Sequence, residues 1–305
     1  MVKEYVSFSD QVKIINDFPA PRSPKGYPHF RKFYLSGMLS SFQEATGDEQ
    51  IDASYNAVLV QALREKAPTY YITDEMELAA SNTSVPPMGP DEIPFRYLNV
   101  FTQNIAAAVR VKTMDEASKK IDLRDALTKA AHRNNIQFKG SDAQLVIVAV
   151  IFAADKAVKG AFRRLYVDLI PPYGDNKDTL ICTHHSFGYA SDFDEKEMYI
   201  GKSLGALARL LVNSVLLIKH QPSLVSVEKS VSSGIGFSNK SSDEPMPVRW
   251  LGKNFSNDKT GSRSSGGHAS PRAHWRRGHW HGYRYGEGRK TLKSKWVQPV
   301  YVNPQ

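Results

Sequence analysis

A single cysteine, Cys182, stands among the 305 residues, which excludes an internal disulfide. No apolar run approaches the roughly 20 residues that a membrane span needs. The opening M-V-K-E-Y-V-S-F-S-D lacks the apolar stretch of a secretory signal. These absences point to a reducing cytosol and to no membrane partner. A Walker-type phosphate loop is also excluded. G-K-S occurs at 201–203, but Lys196 occupies the place of the upstream glycine. Tryptophan is missing from the first 249 residues; Trp250, Trp275, Trp280 and Trp296 all come later. Acids are nearly missing from that same late region. Residues 249–305 hold 12 Lys and Arg against two acids, Asp258 and Glu287, a net +10, whereas residues 1–248 hold 28 against 29, a net −1. The basic character belongs to the C-terminus and not to the body.

What remains is a globular composition, 41% hydrophobic and 23% charged, long enough for one large domain or two small ones. Val6 to Phe18 reads as a short amphipathic helix or arm before the prolines Pro19, Pro21 and Pro24. Phe30, Phe33, Tyr34, Met38, Leu39 and Phe42 recur at helical spacing. A second helix is expected from about Asp52, as N-cap, to Lys66, closed by Pro68. Tyr70 to Ile72 reads as a short strand or a helix start, residues 81–94 as a proline-rich loop, and Phe95 to Phe101 as a strand. Met114 to Asn134 has helical spacing. Leu145 to Phe152, a continuous β-branched run, reads as a central strand covered on both faces. Phe162 to Ile170 alternates as a half-buried strand, and Thr179 to His184 continues an antiparallel meander.

Cys182 lies near His184 and His185, a pattern open to a nucleophile or a metal site. Its apolar flanks Leu180 and Ile181 favour a small hydrophobe in a strand. Asp192, Asp194, Glu195 and Glu197 are read as a solvated loop leading into a helix N-terminus rather than as metal ligands. The apolar run Leu204 to Ile218 is then a core helix. The expected architecture is α+β: a helical N-terminal part, a central mostly antiparallel sheet, an apolar core helix and a basic β-rich C-terminal module. The division is a body at 1–231, a flexible Ser/Gly-rich linker at 232–270 with a short strand at 246–251, and the module at 271–305.

In an extended module, His279, His281 and Tyr283 share one face and Trp280, Gly282 and Arg284 the other. Gly278, Gly282, Gly286 and Gly288 allow turns or close backbone approach. After a turn, Lys293, Lys295 and Val297 alternate with Leu292, Ser294 and Trp296. Guanidinium forks suit phosphates, and aromatic faces suit unpaired bases. The RNA-contacting set expected is therefore Arg276, Arg277, Trp280, Tyr283, Arg284, Arg289, Lys290, Lys293 and Trp296. Two other chemistries compete. His274, His279 and His281 could bind a metal, although a His-only set is unspecific and no metal or other cofactor is assigned. His274, His279, His281 and Arg277 could instead serve a metal-independent ribonuclease. A structural role competes with all three: the aromatics would dock the tail on the body, with arginines around them.

His274 to Tyr283, reading H-W-R-R-G-H-W-H-G-Y, then Gly286 and Gly288, then Lys295 to Asn303, reading K-W-V-Q-P-V-Y-V-N, resemble the C-terminal signature of a family carried by phages, plasmids and other mobile elements. That family includes type V-A anti-CRISPR inhibitors of effector biogenesis. The resemblance implies an inhibitor of host defence, working in the host bacterial cytosol, that recognises a nascent effector peptide and promotes loss of the mRNA under translation. Its implied partners are a nascent polypeptide or effector protein of a CRISPR system, and RNA or the ribosome. A ribonuclease, and a protein-binding inhibitor with a purely structural tail, stand as the alternatives.

Overall fold

The structure is a computed structural model. It describes residues 8–43, 49–89, 93–113, 145–154, 162–172, 180–187, 193–228, 245–255, 274–289 and 291–302. The N-terminal helices are α1 (Phe8–Asp17), α2 (Phe30–Gln43) and α3 (Glu49–Arg64). Asp52 is not the N-cap of α3, which already begins at Glu49. Beyond its end Lys66 takes a left-handed φ of 49°. Lys66 N–H then donates to the Leu63 carbonyl and Ala67 N–H to that of Ala62. This pair of bonds satisfies carbonyls that the ending helix would leave open, and Pro68 prevents continuation.

Strands β1 (Thr69–Ile72), β2 (Tyr97–Phe101), β3 (Ile105–Thr113), β4 (Leu145–Ala154), β5 (Phe162–Ile170), β6 (Ile181–Phe187), β7 (Val225–Glu228) and β8 (Val248–Leu251) form one sheet. The order is β6-β5-β4-β3-β2-β1-β8-β7. Neighbours pair antiparallel except where β1 lies parallel to β2 and to β8. The sheet is thus mostly antiparallel, in an α+β fold, as the pattern of elements implied. The strand at 246–251 has a specific place: β8 enters the main sheet between β1 and β7.

β4 explains the layering. Val146, Val148, Val150 and Phe152 join the core under α1, α2 and α3. Leu145, Ile147, Ala149 and Ile151 join a second core under α4 (Asp74–Ser81) and α5 (Phe193–His220). A strand buried on both faces cannot alternate apolar with polar, which is why its sequence is a continuous apolar run. The first core is aromatic: Phe33 packs edge-on to Phe101 and Phe152, and Phe30 stacks on Phe18. Within it Tyr34 donates to Asn99 Oδ1 at 2.5 Å, while Asn99 Nδ2 donates to Ala67 O and Thr69 Oγ1. A buried amide satisfied in this way ties α2 to β2 and to the start of β1.

Three elements were not anticipated. β3, reading I-A-A-A-V-R-V-K-T, has an alanine run with no strand preference, yet it is buried between β2 and β4. β7 is four residues long and α4 eight. α5 starts at Phe193, so Asp194, Glu195 and Glu197 lie within the helix and not in a loop before it. At 28 residues α5 is far longer than its apolar stretch, and no helix among the described residues is long and apolar enough to cross a membrane. Cys182, His184 and His185 lie in β6. The helix expected at 114–134 and Asp192 fall outside the described residues.

Tyr27 and Tyr71 both have hydroxyl pKa values raised from 10.0 to about 12. Burial is the main cause for each; the carboxylates of Asp74, Glu77 and Glu75 add to it at Tyr27. Burial also raises Tyr34. An acid whose folded pKa exceeds its unfolded value supports folding fully below the unfolded pKa and loses that support as pH rises through the folded one. Stability should therefore fall between about pH 10 and pH 12, with phenolate absorbance rising cooperatively with loss of helical circular dichroism. Phenolate absorbance of these tyrosines appearing while the fold stays intact would contradict the burial assigned to them.

Candidate nucleic-acid interface

Beyond the sheet the chain forms β9 (His274–Arg276), β10 (His279–Tyr285), β11 (Thr291–Val297) and β12 (Val300–Val302). β10 pairs antiparallel with β11, and β9 with β12. Arg276 opposes Val300 and His279 opposes Val297. These positions are three apart on each strand, so the two ladders share one register and make a single long ribbon. Its tip turns through Gly286 and Gly288, both at positive φ, 81° and 64°.

The ribbon's ladder is interrupted where it meets the body. Gly278 N–H donates to the Asn82 carbonyl at 3.2 Å, and its own carbonyl accepts from Ser84 N–H at 3.0 Å. Across the ribbon, Pro299, in register with Arg277, has no N–H to offer the ladder. A Cβ at Gly278 would meet Thr83 Oγ1 and would lie 2.8 Å from Pro299 Cδ. Only glycine permits this approach. Gly278→Ala should lift the ribbon from the body and destabilise the protein by about 1–3 kcal/mol, the range of an overpacked buried site, measured by urea unfolding. An unchanged midpoint would mean that the contact is slack.

Cross-strand partners Trp280 and Trp296 face the body and pack against the core beneath α5. Trp280 Nε1 donates to Asn213 Oδ1 at 2.9 Å, and Trp296 Nε1 to Thr83 Oγ1 at 3.2 Å. Both acceptors are fully buried. Asn213, on α5, also donates through Nδ2 to the carbonyls of Ala80 and Thr83, each at 2.9 Å. The Thr83 hydroxyl donates to Ala79 O at 2.8 Å. His220 meets Trp280 edge-on, and Phe255 packs against Trp296. One amide and one hydroxyl thus join α5, the end of α4 and the ribbon. Asn213→Leu removes three hydrogen bonds and leaves the Trp280 N–H without an acceptor. At about 1 kcal/mol per bond plus the orphaned donor, the expected loss is about 3–4 kcal/mol by chemical denaturation. A change below 1 kcal/mol would show that the indole does not depend on this amide.

The sequence-derived residues divide by face. Trp280 and Trp296 are half-buried and engaged with the body. On the opposite side His279, His281, Tyr285, Lys293 and Lys295 are exposed and Tyr283 is half-buried. The Tyr283 and Tyr285 rings lie 6.2 Å apart, and Lys293 Nζ sits over the Tyr285 ring at 5.8 Å. No acid occurs in β10 or β11, so nothing on the ribbon strands neutralises these cations. Arg276, Arg277 and Arg284 are exposed as well. His274 lies in β9 and Arg289 in the tip; Lys290 falls outside the described residues. Among the described residues no group of three or more His, Cys, Asp or Glu side chains is arranged to hold a metal ion.

Sequence reasoning did not find Asn213, Thr83 or Arg209. Asn213 carried a signal, an amide within the apolar run L-L-V-N-S-V-L-L, because a polar group there needs a buried partner. Thr83 carried none. Arg209, one turn before Asn213, donates through Nε to Ser81 O at 2.7 Å.

No curated protein and no solved structure matches this chain significantly. Residues 158–304, from just before β5 through α5 and the whole ribbon, match the model of the AcrVA2-like family, the anti-CRISPR type V subtype A2 family, so that the part of the chain similar to an anti-CRISPR family contains both α5 and the ribbon.

Proposed function

We propose that the protein is an inhibitor of host defence that acts on the biogenesis of a CRISPR effector. In this reading the body recognises a nascent effector peptide. The ribbon holds the RNA under translation, or ribosomal RNA beside it, and the message is lost. The observation that carries the RNA part is the two-sidedness of the ribbon. One face is fixed by two indole N–H bonds to buried acceptors, which leaves the other rigidly presented, with cations, histidines and tyrosines and no acid. Rigid aromatic-basic surfaces suit unpaired bases and their phosphates. The family match supports the defence-inhibitor part.

In this reading the contacts come from Arg276, Arg277, Tyr283, Tyr285, Lys293 and Lys295. Trp280 and Trp296 act by holding the ribbon in place. Fluorescence anisotropy with a single-stranded RNA should give an affinity that falls steeply with salt. The double replacement Arg276→Ala and Arg277→Ala should weaken it about tenfold or more, with the fold intact by circular dichroism. Affinity unchanged in that variant would sink the assignment. The same mixtures run on a gel in EDTA separate gripping from cutting. RNA that stays whole supports a binding protein. Cleavage that persists in EDTA and disappears in His279→Ala would replace this reading with a ribonuclease.

A further inference from the structure

The seam between α5 and the ribbon brings together two arginines from distant parts of the chain. Arg209 is anchored by its Nε–H to the Ser81 carbonyl, which fixes the plane of the guanidinium and leaves its Nη groups free of a described partner. Arg277 immediately precedes Gly278, whose N–H and C=O are bonded to Asn82 and Ser84. Residues 81–84 therefore receive both elements, the Arg209 side chain at Ser81 and the backbone next to Arg277 at Asn82 and Ser84. The segment itself, S-N-T-S, carries no charge. Among the described residues neither guanidinium has a carboxylate partner. Burial, and next to it the positive charge of Arg277, lower the pKa of Arg209, the direction expected when a second cation lies in the same neighbourhood.

A half-buried arginine without an acid is costly, and a second cation beside it adds to the cost. A tetrahedral dianion or a backbone phosphate relieves both at once, because each fork can offer two N–H donors to its oxygens. Arg276 and the exposed Lys293 and Lys295 extend positive charge from this seam along the ribbon. We propose that the seam is a phosphate site, in which Arg209 and Arg277 together hold one backbone phosphate of an RNA strand that continues onto the outer face of the ribbon. The RNA source rests on the function proposed above; the phosphate site itself rests on the two arginines alone.

The test uses the full-length protein, with Arg277→Gln, Arg209→Lys and Arg209→Gln, beside a Lys293→Gln, Lys295→Gln variant of the outer face. Circular dichroism first establishes that each folds. Arg209→Lys keeps the charge where Arg209→Gln could disturb the Ser81 contact. Inorganic phosphate at constant ionic strength should raise the Tm of the native protein, and Arg277→Gln should abolish that rise. Single-stranded RNA should bind Arg277→Gln about three- to tenfold more weakly, with the slope of log affinity against log salt reduced by about 0.7. Arg209→Lys should lie between the native protein and Arg277→Gln, since it keeps the charge and loses the fork. No phosphate effect on Tm, or one unchanged in Arg277→Gln, overturns the site. RNA binding weakened by the lysine variant but not by either arginine variant overturns the site and leaves the ribbon reading standing. A phosphate effect lost in Arg277→Gln, with no RNA binding by the native protein, overturns the RNA source and retains the anion site.

Discussion

Two indole N–H groups require acceptors, and the placement of the ribbon follows from where they find them. A buried donor without a partner costs about 1–3 kcal/mol, and Trp280 and Trp296 lie directly opposite each other on one face of a two-stranded ribbon. Such a ribbon has little independent stability. It is held because its two indoles reach Asn213 and Thr83, groups already buried and already bonded to the end of α4. The same two contacts that stabilise the ribbon decide which of its faces meets solvent.

That choice links packing to electrostatics. The chain concentrates its positive charge after residue 249 while the remainder is nearly neutral. With the tryptophan face against α5, the strand alternation turns His279, His281, Tyr283, Tyr285, Lys293 and Lys295 outward together. The result is an oriented basic surface with two neighbouring tyrosines, their rings tilted to each other, on a fixed base. Rigid presentation matters for binding because little conformational freedom is left to lose on association. The interruption at Gly278 and Pro299 serves the same purpose, since it frees backbone groups of the ribbon to bond with residues 82 and 84.

The region similar to the anti-CRISPR family begins at residue 158 and therefore includes α5 and the ribbon but not the segment at 79–84. Half of the seam, Arg209, Asn213, Gly278, Trp280 and Trp296, comes from the matched region. The other half, Ser81 to Ser84, comes from residues before the matched region. A protein that recognises a target through its body and RNA through its ribbon would have its two functions meet at that seam.

The sequence by itself determined the class of the fold and the two-faced character of the tail, because both depend on local spacing. The β-branched run at 145–152 is best read as a strand covered on both sides, and β4 packs into a core on each face. The alternation of His279, His281 and Tyr283 against Trp280, Gly282 and Arg284 correctly divided the ribbon into two faces. It did not reveal β3, whose alanines have no strand preference until β2 and β4 flank them, nor the early start of α5, whose acids suit a loop and a helix N-terminus equally. Tertiary structure alone decided which face of the ribbon is buried, that Thr83 receives one indole and Asn213 the other, and that Arg209 and the ribbon backbone at Gly278 meet the same segment at 81–84. These residues are separated by up to 213 positions, and no periodicity encodes a hydrogen bond across that distance; it exists only once α4, α5 and the ribbon have packed.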